Sequence, residues 1–204
     1  MSRRMHRHIA LVSVGFAVVF GACSSDSTKD ASPTTGSSGD TRACRSVGTS
    51  ISPTDAPAGA PQGTKAYTGM SQNHVKGCVN YPQTPPVGGD HNQVWQSCGV
   101  YPKAVPIESA VHSMEHGGVW ITYSPSLDTN QIAKLGKFAS NEFVLVSPWK
   151  TALPTAISVQ AWGLQLQLDS ATDPRLTAFV EAFANGPQNP EAGVPCRGGG
   201  TMTE

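Results

Sequence analysis

The residues of this chain with the most chemistry to offer stand together in Ala110-Val111-His112-Ser113-Met114-Glu115-His116-Gly117-Gly118-Val119-Trp120-Ile121-Thr122-Tyr123. Two imidazoles and a carboxylate fall within five residues, and two glycines follow. On a helix, His112 and His116 share one face a turn apart, with Glu115 beside His112 at i+3. On a strand, His112, Met114 and His116 share a face and Glu115 points away. Either backbone lets the two imidazoles converge. A short helix ended by Gly117 or Gly118 is the preferred reading, because glycine enters the left-handed cap conformation without a Cβ penalty.

Outside the amino-terminal segment that carries His6 and His8, two other histidines, His74 and His91, lie upstream in loop-like sequence. None of the four is expected in the sheet or the late helices. Neutral imidazole is the commonest metal ligand. His91, His112 and His116, with Glu115 or His74 completing the shell, form a donor set for one Zn²⁺ or Cu²⁺ ion. Met114 favours copper if the motif is a strand; a helix leaves zinc and copper equally open. The competing reading is a buried polar network, with His112 and His116 bonded to Glu115 and to loop carbonyls. An enzyme is a further class. His112-Ser113-Met114-Glu115-His116 fits H-x-x-E-H, the inverted zinc-peptidase signature, in which two histidines bind zinc and the glutamate acts as base. Those peptidases carry the motif inside a long helix and take another acid ligand from a second helix, whereas Gly117-Gly118 stops any helix at once. No Gly-x-Ser-x-Gly elbow, phosphate loop or dinucleotide fingerprint is present. The balance of the reading is against catalysis.

The elements that must position these groups follow from periodicity and turn chemistry. Cys44 to Tyr67 is rich in Pro, Gly and Ala and predicts an extended lead-in. Cys78-Val79-Asn80-Tyr81 predicts a strand stopped by Pro82. Thr84-Pro85-Pro86-Val87-Gly88-Gly89-Asp90-His91 predicts a rigid loop able to hold His91 in place, since proline restricts φ and glycine widens it. Trp95, Cys98 and Tyr101 suggest an aromatic cluster around a disulfide. Exposed Trp95, Trp149 or Trp162 would instead mark a binding surface at the cell envelope. Glu108 starts the helix of the central motif. Val119 to Tyr123 alternates as a half-buried strand. Asp128 or Ser126 caps a helix to about Ser140, with Ile132, Leu135 and Phe138 as its stripe. Phe143 to Val146 reads as a buried strand parallel to the first, by way of a crossover. Pro148 to Pro154 reads as loop. Ile157 to Trp162 and Leu164 to Leu168 form a strand pair or one strand kinked at Gly163. Asp173-Pro174 begins a helix to about Ala184 with Leu176, Phe179, Val180 and Phe183 inward. The tail from Gln188 is loop. The expected fold class is α+β: a small mixed sheet, two main helices on it and long proline- and glycine-rich loops.

The amino terminus bears on the compartment. Arg3, Arg4 and Arg7 precede a 14-residue apolar run, Ile9 to Ala22. That run is shorter than the about 20 residues a spanning helix needs, and it reads as a secretory signal over residues 1–22. Phe20-Gly21-Ala22-Cys23 resembles a bacterial lipobox, with Phe20 where leucine is usual, and Cys23 is the expected lipidated residue. Residues 23–43, rich in Ser, Thr, Gly and Asp, would tether the protein to the membrane. Residues 44–204 suit one domain. Cleavage removes three arginines and no acid, so a balance of 14 basic and 14 acidic groups becomes about −3. No basic footprint for nucleic acid is present. The expected contacts are the membrane, through the lipid, and a protein of the cell envelope, with oligomeric state open. Setting Cys23 aside leaves Cys44, Cys78, Cys98 and Cys196, an even number that implies two disulfides outside the cytoplasm. Three connectivities are open; Cys98–Cys196 with Cys44–Cys78 is the expected one. No Cys-x-x-Cys pair is present.

Several stretches together resemble the bacterial family called domain of unknown function 3105. They are Tyr81-Pro82-x-x-Pro85-Pro86-Val87-Gly88-Gly89-x-His91, Cys98-Gly99-x-Tyr101, Val111 to Tyr123, Ala161-Trp162-Gly163 and Pro190-Glu191-x-Gly193-x-Pro195-Cys196. The resemblance covers about residues 70 to 198. Members are secreted proteins or lipoproteins or carry one membrane helix, in keeping with the amino terminus here. The resemblance implies no activity. It places leucine where this chain has Met114, so it lends a thioether ligand no support.

Overall fold

A computed structural model describes residues 44–46, 53–191 and 193–204. These fall in one unit of the chain, Thr41–Glu204. The expected signal segment, Cys23 and the whole of the tether lie outside the described residues. In chain order the elements are β1 (Arg45–Ser46), β2 (Lys65–Ala66), β3 (His74–Val75), β4 (Val79–Asn80), β5 (His91–Asn92), β6 (Gly99–Val100), α1 (Ile107–Glu115), β7 (Val119–Tyr123), α2 (Thr129–Lys137), β8 (Val144–Pro148), β9 (Ile157–Ala161), β10 (Leu164–Leu168) and α3 (Pro174–Phe183).

The main sheet is mixed, in the order β2-β10-β9-β7-β8-β6. β7 and β6 both run parallel to β8, as a strand–helix–strand crossover requires, and β7–β9, β9–β10 and β10–β2 are antiparallel. The α+β class holds. β9 and β10 are a hairpin rather than one kinked strand, with Leu164 paired to Ala161 across Trp162-Gly163. Gly163 takes φ +73°, which suits a two-residue turn.

Both faces of this sheet are covered, which corrects the half-buried reading of β7: all five of its residues are buried. Val119, Ile121 and Tyr123 join Val144, Val146, Val159, Leu166 and Leu168 in one core beneath α3, whose Leu176, Phe179, Val180 and Phe183 point inward. α2 adds Leu135, with Ile132 and Phe138 partly buried. Trp120 and Leu145 face the other way, into a second cluster with Ala110, Val111 and Met114 of α1 and the Cys98–Cys196 bridge. The two-helix layer is therefore one side only, and α1 forms a third helix on the opposite side. Alternation still sorts the faces, but a central strand packed above and below shows no exposed row.

Local chemistry sets the boundaries. Asp128, not Ser126, caps α2 by accepting the Asn130 N–H at 2.9 Å, and the helix tightens into a 3₁₀ turn over Phe138–Ser140. Asp173 caps α3 through the Arg175 N–H at 2.9 Å. α1 begins at Ile107, one residue before the expected Glu108, because Pro106 presets the entry at φ −56°. Glu108 instead accepts the Val79 N–H at 2.8 Å. The strand expected over residues 78–81 shrinks to β4, a two-residue partner of β1, and Pro148, expected in a loop, completes β8 opposite Tyr123. The bridges Cys44–Cys78 and Cys98–Cys196 form, with Cα–Cα distances of 4.8 Å and 5.4 Å.

Candidate metal centre

The end of α1 builds the site. Gly117 takes φ +89°, and its N–H donates to Met114 O at 3.0 Å while the Gly118 N–H donates to Ser113 O at 2.8 Å. This pair of bonds is a Schellman cap, which satisfies carbonyls the last turn leaves open. It stops the helix just after His112, Glu115 and His116 have been placed on its last turn and its cap. All three are buried, at 4 %, 2 % and 3 % exposure. Gly118 is held in close: an added Cβ would meet Ser113 O at 2.6 Å.

The Pro85–His91 loop delivers the next donor. All seven of its residues are buried, so its backbone must be bonded internally. The β9–β10 hairpin does this: Gln165 Nε2 of β10 donates to Pro85 O at 2.9 Å, and the Gly163 N–H of the turn donates to Val87 O at 2.7 Å. An added Cβ on Gly88 (φ +151°) would lie 2.8 Å from Met70 Sδ and 3.3 Å from the Trp162 ring, so only glycine fits there. Asp90 anchors the loop further. It pairs with Arg45 at 3.1 Å and accepts from Asn73 at 2.8 Å. Burial alone would raise its carboxyl, but bonds from Ser71 and Asn73 and the Arg45 guanidinium hold it below the usual range. Tyr81 closes the loop from outside, donating its hydroxyl to Asp90 O at 2.6 Å.

His74 and His91 sit opposite each other in a two-residue parallel ladder, β3–β5, apart from the main sheet. The expectation that no histidine lies in a sheet is corrected to this extent. The ladder brings His74 Nδ1 or Nε2, with donors from His91, His112 and Glu115, to within 4.8 Å of one another. The rings cluster with tilted and edge-on contacts: centroids lie 5.0 Å apart for His74–His91, 4.8 Å for His74–His112 and 4.6 Å for His91–His112, with His116 4.6 Å from His112. His74 is exposed and the other three donors are buried.

Hydrogen bonding fixes which nitrogen each buried ring offers. His91 Nδ1 lies 2.8 Å from Gly89 O, His112 Nδ1 2.7 Å from Asn92 O, and His116 Nδ1 3.1 Å from Pro195 O. A carbonyl oxygen only accepts, so each Nδ1 carries the hydrogen and each neutral ring presents Nε2 as a lone pair. His91 Nε2 then faces Glu115 Oε2 at 2.9 Å, off the line a hydrogen bond needs, and has no hydrogen-bond partner. Two buried lone-pair donors face each other across a gap that a shared cation would fill. His112 is suited to stay neutral: burial, opposed by the Asn92 carbonyl and aided by the neighbouring imidazoles, lowers its pKa to about 4.

Of the expected ligands, His74, His91, His112 and Glu115 come together. His116 does not join them; its Nε2 turns to Glu191 Oε2 at 3.1 Å, and His112, His116 and Glu191 form a second group. Glu191 was visible in Pro190-Glu191 only as part of a family-like tail. What brings it here is the Cys98–Cys196 bridge, together with the Glu191 N–H bond to Glu115 O at 3.2 Å. Trp95, read as disulfide packing, is a half-buried wall of the site. Its ring lies 4.8 Å from that of His116 and its Nε1 donates to Cys196 O at 3.2 Å. Trp162 is 6 % exposed with its edge toward His91, and Trp149, half-buried, packs on Trp120 at 5.7 Å. Met114 is fully buried in the core, two positions along the helix from His112 and so on another face. The H-x-x-E-H run lies at a helix end, with Glu115 facing His91, and not inside a long helix.

Among the described residues no helix is long and apolar enough to cross a membrane, and the two disulfides suggest an extracytoplasmic protein. No curated protein matches the chain, and no solved structure matches it. A family model described as "Protein of unknown function (DUF3105)" matches residues 74–198, a span that runs from His74 through Cys196 and takes in every member of both His/Glu groups. The chain belongs to the DUF3105 family.

Proposed function

We propose that this chain is an extracytoplasmic, lipid-anchored protein that binds one Zn²⁺ or Cu²⁺ ion through His91, His112 and Glu115, with His74 completing the shell. The observation that carries the reading is the facing pair of His91 Nε2 and Glu115 Oε2, both buried and 2.9 Å apart without an aligned hydrogen bond. A buried carboxylate needs a cation or a donor, and a neutral imidazole whose hydrogen already points at Gly89 O supplies neither. The carbonyl bonds to Nδ1 of His91 and His112 are the support that metal-binding imidazoles use to fix tautomer and orientation. Three nitrogens and one oxygen suit tetrahedral zinc and also tetragonal Cu²⁺. The alternative is a non-enzymatic cell-surface structural or interaction domain whose His/Glu cluster is a buried polar network.

Elemental analysis of the full chain, purified without a histidine tag and offered zinc or copper, tests the centre. One equivalent is expected, and His112→Ala or Glu115→Gln lowers affinity by at least about 100-fold while circular dichroism shows the fold kept. No ion under either loading overturns the metal reading in favour of the network. The anchor has its own test: Cys23→Ala moves the protein from the membrane to the soluble fraction, and a variant that stays on the membrane refutes lipidation.

A further inference from the structure

The second group, His112, His116 and Glu191, shares His112 with the first and does not include His91. It has the same construction as the first. Pro195 O takes the Nδ1 hydrogen of His116, which leaves Nε2 facing Glu191 Oε2 at 3.1 Å. Three donors lie within 4.8 Å of one another, and Trp95 covers the two rings at 4.8 and 5.9 Å. Two differences from the first group matter. It has three donors and not four, and its carboxylate is open to solvent, with the Glu191 side chain 43 % exposed. The groups also share a member. With its Nδ1 hydrogen held by Asn92 O, His112 has one lone pair to give. It can complete one group or the other, and not both at once.

We infer that His112, His116 and Glu191 form a second, weaker ion position, exclusive of the first, through which the ion exchanges between solvent and the buried four-donor centre. This rests on the metal-centre reading above. A buried site needs an entry path, and an exposed carboxylate next to a shared imidazole provides one: the ion meets Glu191 and His116 first, and His112 passes from the outer donor set to the inner. The inner set wins at equilibrium because it supplies one more protein ligand and because its carboxylate is buried, where a lower dielectric strengthens the attraction to the ion.

Zinc alone is the probe, with a chromogenic chelator reading both affinity and rate of extraction. The wild-type chain takes one equivalent. Glu191→Gln, an isosteric change at a half-buried position, keeps that equivalent with affinity changed by less than about tenfold, the lower end of what an outer-shell change does, and gives up its ion several-fold more slowly. His74→Ala with Glu115→Gln weakens the inner set and leaves a residual equivalent at least about 100-fold weaker, which adding Glu191→Gln removes. An extraction rate unchanged in Glu191→Gln overturns the inference, as does residual binding indifferent to Glu191, or two equivalents bound at once by the wild type. No zinc bound by the wild type overturns the exchange of zinc inferred here, and if copper is not bound either, the metal centre itself, a result separate from the other three.

Discussion

Replacing Gly117 by alanine probes the helix end on which the whole site depends. Two terms add. At φ +89° an L-residue occupies the left-handed region, which costs about 1–2 kcal/mol. The new methyl would also lie 3.0 Å from Asn185 Cα and 3.0 Å from Asn189 Nδ2. The first is backbone, held by the Asn185 N–H bond to Gly117 O at 2.8 Å, so it yields little. Overpacking of this kind costs about 1–3 kcal/mol. The expected loss is about 3 kcal/mol in urea unfolding of the oxidised protein with unchanged slope, or a melting point lower by roughly 6–12 °C for a domain of this size. Gly69 is the control. Its φ is +78°, but an added Cβ meets nothing within 4 Å, so Gly69→Ala isolates the conformational term at about 1 kcal/mol. Equal losses in the two variants, or a Gly117→Ala loss under about 1 kcal/mol, would refute the claim that the cap is both left-handed and tightly packed.

Other outcomes follow from the same structure. In the metal-free protein His112 refuses a proton that its unfolded counterpart accepts at about pH 6.5. The unfolded state therefore binds more protons between that pH and about 4, and stability falls as pH drops through this window. Urea midpoints against pH should show the fall in the wild type and a shallower one in His112→Gln; parallel curves contradict it. Replacing Cys98 and Cys196 together by serine opens a bridge spanning 98 residues and is expected to lower stability by about 4–5 kcal/mol on the chain-entropy model, read by the same unfolding assay. A loss under about 1 kcal/mol would show that the bridge constrains little.

Much of this fold is written in short-range chemistry. His112-x-x-x-His116 ahead of Gly117-Gly118 marks a helix end, Asp173-Pro174 a helix start, and Leu164, Leu166 and Leu168 a strand, because each depends on neighbours in sequence. What escaped depends on distant contacts. The β3–β5 ladder is two residues long, too short for any periodicity to announce, yet it is what sets His74 beside His91. Trp120 and Ile121 look like alternate faces of one strand, and only the placement of α1 opposite α3 shows that both faces are core. Glu191 reaches His116 because a bridge across the chain and the wrap of residues 195–200 past Trp95 carry the tail there. Spacing from His112 groups His116 with His91, whereas the helix end turns its Nε2 to Glu191 of the tail.

X-ray absorption at the zinc edge of the loaded full chain, repeated with copper, tests the centre most directly, since it reads the ligands and not merely the ion. The proposed centre predicts nitrogen and oxygen neighbours only, at about 2.0–2.1 Å, with the outer-shell scattering of about three imidazoles, falling by one in His91→Ala. A shell of water oxygens without imidazole scattering, or a spectrum unaltered by His91→Ala, would contradict the account.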